Sequence, residues 1–122
     1  MRNIKIFFRV DANNSIGTGH LYECLELARY LKARAIFCIN ENSRARELVE
    51  HYGFRAVFVS HLNSALDSFK PEIIVVDIPT VKENDLSKLL STGRSLIVMN
   101  AIFHPVRKGI HIATVFRPLD EN

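Results

Sequence analysis

Five short apolar runs punctuate the chain, at residues 4–10, 35–39, 56–59, 73–76 and 95–99. They are rich in Ile, Val and Phe and mostly lack the polar alternation of a half-exposed strand. Runs of this length and composition are expected of strands buried on both faces, as in a parallel sheet covered by helices.

Between the runs, apolar positions recur at spacings of three and four, the helical period. Leu21, Cys24, Leu25, Ala28 and Leu31 fall on one helical face. Glu23 and Glu26 come early in that helix and Arg29 and Lys32 late, an order that complements the helix dipole. A second helix is expected from about Ser43, burying Ala45, Leu48, Val49 and Tyr52 and stopping at Gly53. A third carries Leu62, Ala65, Leu66 and Phe69 and ends at Pro71. A fourth opens with Thr80-Val81-Lys82-Glu83, a capping box in which hydroxyl and carboxylate each satisfy a free backbone N–H. It turns Leu86, Leu89 and Leu90 inward and stops at Gly93.

This alternation predicts an α/β fold: a Rossmann-like, doubly wound parallel sheet of five or six strands, with right-handed crossovers and strand order 3-2-1-4-5. Residues 110–116 supply the candidate sixth strand, at an edge. The 122 residues suit one domain, and no internal repeat or low-complexity linker divides them.

Charge and composition change this picture little. The net charge is +3, but the bases are scattered among acids and form no block interleaved with aromatics, so nucleic acid is not an expected partner. Cys24 and Cys38 are not spaced as a C-x-x-C pair, and both fall on expected core faces. Buried free thiols in a reducing cytoplasm are therefore expected. Arg9 interrupts the first apolar run, unlike a signal peptide, and no apolar stretch is long enough to cross a bilayer.

The candidate chemistry lies in Ser15-Ile16-Gly17-Thr18-Gly19-His20, the first strand-to-helix turn. Ligands of open α/β sheets bind at the carboxyl ends of the strands, which is where this turn falls. Gly17 and Gly19 permit φ > 0 and close approach of a ligand to the backbone, and the following helix N-terminus favours an anion. No G-K-[ST] follows, so the turn is not a Walker A loop. Tyr22 occupies the third glycine position of a dinucleotide fingerprint, which weighs against NAD despite a well-spaced Glu41. His20 enters the first helical turn, where the dipole disfavours an imidazolium; a neutral ring there suits a general base. A solvent-facing, capping histidine is the plainer alternative.

Arg9-Val10-Asp11, the Ser15–His20 turn, Cys24-Leu25 and Leu27-Ala28 together resemble the N-terminal signature of a nucleotide-sugar hydrolase family. Members of that family release UDP from a UDP-linked diacetamido-trideoxy sugar in pseudaminic acid biosynthesis, and relatives act in spore-coat polysaccharide biosynthesis. The family in turn resembles GT-B glycosyltransferases. The specific match spans residues 9–28, and the strand–helix alternation extends it less specifically to about residue 99. The resemblance implies His20 as the base that activates water against the anomeric carbon. It implies Ile16, Gly17, Thr18 and Gly19 as the wall around sugar and pyrophosphate, with Arg9 and Asp11 at the end of the first strand and Asp77 at the end of the fourth. Arg9 is expected to pair with an acid beneath the loop. Asp11 either contacts the sugar or caps the N–H groups of the turn. The partner implied is a UDP-sugar, with no cofactor and no metal.

The chain also differs from that pattern. Asp77 is followed by Ile78-Pro79-Thr80 where the family usually has a nearby Tyr; Glu23 stands where a basic residue usually precedes the helix Cys; and Asn100-Ala101 replaces a frequent acidic pair. GT-B enzymes work in a cleft between two such domains, so residues 1–122 are expected to be an N-terminal half that depends on a second, C-terminal GT-B-like domain. An isolated half would expose an apolar cleft face, and a homodimer is one way to cover it. Two other functions fit the same pattern: the acceptor-binding half of a split GT-B glycosyltransferase, and a non-catalytic sugar-nucleotide-binding module. Of the remaining histidines, His51 suits a helix C-terminus and His61 a helix start. His104 and His111 lack a third ligand for a metal.

Overall fold

Each of the five apolar runs forms a strand, and a sixth strand joins them. The computed structural model describes residues 3–12, 19–78, 89, 95–99 and 110–113. In chain order the elements are β1 (Lys5–Val10), α1 (Gly19–Leu31), β2 (Arg34–Ile39), α2 (Ser43–His51), β3 (Arg55–Phe58), α3 (Leu62–Phe69), β4 (Ile73–Asp77), β5 (Ser95–Met99) and β6 (Ile110–Ala113). A 3-10 turn at Val59–His61 joins β3 to α3. The sheet has the order β3-β2-β1-β4-β5-β6, and every adjacent pair is parallel. The expected order 3-2-1-4-5 is thus present, extended by the edge strand β6.

Alternation along the central strands divides the core into two layers. Ile6, Phe8 and Val10 of β1 and Val75 of β4 face the layer built from Leu21, Cys24, Leu25 and Ala28 of α1 and Ala45 and Val49 of α2. Phe7, Ile74 and Val76 face the other way, onto Leu62, Ala65 and Leu66 of α3. Each large side chain sealed in this way contributes roughly 1.5–3 kcal/mol of hydrophobic stabilisation. Phe8 and Phe37 sit opposite each other in the β1–β2 register, and their rings stack with centroids 4.5 Å apart. This pair packs β1, the strand from which the candidate turn departs, against β2.

Helix ends follow local chemistry. The Asn42 side chain caps α2 by accepting from the Ala45 N–H at 3.1 Å. Gly53, at φ +87°, closes α2 in a left-handed turn in which Phe54 N–H reaches the Val49 carbonyl at 3.2 Å. Two lysines do the same job without glycine's freedom: Lys32 after α1 and Lys70 after α3 have φ of 53° and 51°.

Several expectations need correction. Leu31 is 44% exposed, because α1 ends there and the chain turns away at Lys32. Leu48, Tyr52 and Phe69 are only partly buried, packed at the margins of the two core layers. The third helix is stopped by the left-handed Lys70, one residue before Pro71. Glu23 lies beyond the first turn of α1, which holds no acid, so it does not serve the dipole as supposed. Of the expected fourth helix, Leu89 is described: it is helical and 1% exposed within the α3-side layer. The capping box at Thr80 and the stop at Gly93 lie outside the described residues.

Candidate functional site

Two sequence periods bring the site together. In β4 the residues of one parity, Ile73, Val75 and Asp77, point toward α1, and Asp77 is the last of them. In α1, His20, Glu23 and Cys24 share one face by their spacings of three and four. Because β4 lies beside β1 and α1 covers both, the first turn of α1 stands over the end of β4. His20 Nδ1 is 2.9 Å from Asp77 Oδ1, with the carboxylate side chain 1% exposed and the imidazole 26% exposed.

A carboxylate only accepts hydrogen bonds, so this contact places a proton on Nδ1. Nε2 of a neutral ring is then the lone-pair nitrogen. Cys24 Sγ lies 3.6 Å from Asp77 Oδ2, so the thiol donates to the second carboxylate oxygen and helps fix the plane of the group. Burial, then the neighbouring Asp77 charge, pushes the Cys24 thiol well above its ordinary range. It therefore remains a protonated donor. Glu23 brings a second carboxylate to the cluster, and its Oε2 is sealed from solvent.

The other expected acid does different work. Asp11 is held by Arg9 through both guanidinium nitrogens, one of them at 3.2 Å from Oδ2. Its Oδ1 also accepts the Asn40 backbone N–H at 3.0 Å. Asn40 in turn accepts from Ala12 N–H at 3.0 Å and donates to the Ala12 carbonyl at 2.9 Å. Asn42 donates to the same carbonyl at 2.8 Å. Arg9 does pair with an acid, as expected, and that acid is Asp11. The pair clamps the chain leaving β1 to the chain leaving β2.

Of the expected site residues, the structure thus brings His20 and Asp77 into contact and groups Arg9 with Asp11. Gly19 opens α1. Ile16, Gly17 and Thr18 lie outside the described residues. The Asp77 partnership with His20 and the proximity of Glu23 were not anticipated. The parity of β4 and the helical spacing of 20, 23 and 24 carried the signal, but joining them requires the β1–β4 adjacency. A hollow of about 470 Å³ at the β3 edge, lined in part by Arg46, Arg55, Phe58 and His61, contains none of the expected site residues.

A scan against protein-family models and a search of curated proteins each return no match to this chain.

Proposed function

We propose that this domain hydrolyses, or forms the water-activating half of an enzyme that hydrolyses, a UDP-linked acetamido-deoxy sugar. His20 is its general base and Asp77 its orienting partner. The observation that carries this reading is the 2.9 Å contact between His20 Nδ1 and the buried Asp77 carboxylate. Such a contact selects the tautomer whose Nε2 takes a proton, and the carboxylate stabilises the imidazolium that forms. Water deprotonated at Nε2 attacks the anomeric carbon; the bond to the pyrophosphate oxygen breaks; UDP departs carrying that bonding pair. The first-turn N–H groups of α1 have no partner within the helix, which suits them to an anionic substrate. Arg9 and Asp11 serve by fixing where the turn begins. The substrate class comes from the resemblance of residues 9–28, and the base from the contact.

The test is a titration of the chain with UDP-N-acetylglucosamine and UDP, followed by amide NMR and by assay of released UDP. Shifts at Gly19, His20, Ala12 and Ile78 are the expected result in either case, joined by UDP release that His20→Ala removes where the domain hydrolyses by itself. Absence of both shifts and release at millimolar ligand would overturn the proposal. UDP release that appears only with an added sugar acceptor would point instead to a transferase.

A further inference from the structure

The His20–Asp77 pair has a third neighbour that the hydrolytic reading leaves unused. One ligand-type atom from each of His20, Glu23 and Asp77 lies within 4.8 Å of the others. We propose that these three side chains form a binding site for a divalent first-row transition-metal ion. This inference does not rest on the hydrolytic reading.

The placement is that of a ligand set on rigid supports. His20 and Glu23 are three apart on α1, so they project side by side, and Asp77 comes from the last position of β4. Two ligands at right angles, each about 2.1 Å from an ion, stand about 3.0 Å apart. The His20–Asp77 separation of 2.9 Å matches that edge. Glu23 offers the third ligand atom, within 4.8 Å of those of His20 and Asp77. Two carboxylates, one of them buried, are balanced in charge by a dication. One nitrogen and two oxygens favour Mn²⁺, Fe²⁺, Co²⁺ or Zn²⁺ over Ca²⁺ and Mg²⁺, which prefer oxygen alone. Cys24 acts as an outer support: its thiol lies against Asp77 Oδ2, while Oδ1 faces His20 Nδ1. The expectation of no metal weighed only His104 and His111.

An ion that takes the Nδ1 lone pair moves the ring proton to Nε2. Ion-loaded and base-ready His20 are therefore alternative forms of one site.

The test titrates Co²⁺ into the purified chain, reads the visible absorption of the bound ion, and then displaces it with Zn²⁺. Saturation at one equivalent in the micromolar range is expected. Glu23→Gln should weaken binding at least about ten-fold with the far-UV spectrum unchanged. His20→Ala should remove the saturable signal, and Cys24→Ser should retain it. Absorbance that rises without saturation would overturn the proposal, as would Glu23→Gln and His20→Ala proteins that bind like the parent. If His20→Ala fails to fold, Glu23→Gln decides, because Glu23 is partly exposed.

Discussion

Two acids end neighbouring strands of this sheet, and their surroundings assign them opposite duties. In the β1–β4 register Val10 stands beside Asp77, one residue before Asp11. Asp11 is committed to structure: both its oxygens face Arg9, and one also holds the Asn40 N–H. Asp77 is more deeply buried, yet it holds a side chain that keeps about a quarter of its surface open. On the proposed reading, burial alone does not mark the orienting acid. What marks it is its contact with an imidazole, whose second nitrogen is the one proposed to take a proton.

The largest expected effect separates the two acids directly. Asp77→Asn should cut UDP release about 10³–10⁴-fold while the chain stays folded, because an amide no longer selects the Nδ1–H tautomer. Asp11→Asn should act mainly on stability. Equal losses of activity per unit of lost stability in the two variants would erase the contrast. Removing the Asp11 carboxylate altogether, as Asp11→Ala, should cost about 2–3 kcal/mol, since Arg9 is left half-buried without its anion and Asn40 loses an acceptor. Urea unfolding checks this; a change below about 0.5 kcal/mol would mean the clamp is unimportant.

The thiols sharpen the comparison at alkaline pH. Burial pushes Cys38 from 9.0 up to about 11, and Cys24 is raised in the same sense. The native state then keeps protons that the unfolded chain gives up. This contribution to stability is present below about pH 9 and declines as pH rises toward 11. The urea midpoint should fall across that window, and Cys38→Ala should flatten part of the fall. Smaller still are the helix stops far from the rim. Lys32→Gly and Lys70→Gly should each stabilise by about 0.5–1 kcal/mol, read as a raised Tm, by relieving left-handed backbone. A neutral or lowered Tm would mean that the lysine stems contribute packing that offsets the strain.

The fold was largely readable from pattern because its strongest signals are local. Ile, Val and Phe runs bounded by helical spacing identify the strands, and Asn42 and Gly53 bound α2 through ordinary capping chemistry. Where local signals misled, tertiary geometry had decided the outcome. Nothing in a lysine announces a left-handed stop, so Leu31 read as core although the helix ends beneath it. The candidate site was half legible. His20 and Asp77 each fell at the sheet rim on their own, but they are 57 residues apart. Their contact exists only once β4 is placed beside β1 with α1 across both. Glu23 read as a dipole partner because helical spacing alone does not say that Asp77 lies opposite its face.

The most direct test of the central claim is the protonation of the His20 ring itself, read by long-range ¹H–¹⁵N NMR at a pH where the ring is neutral. A proton on Nδ1 and a bare Nε2 are expected, with the preference lost in Asp77→Asn. A ring that carries its proton on Nε2 in the parent chain would contradict the account, since no base would then face the substrate.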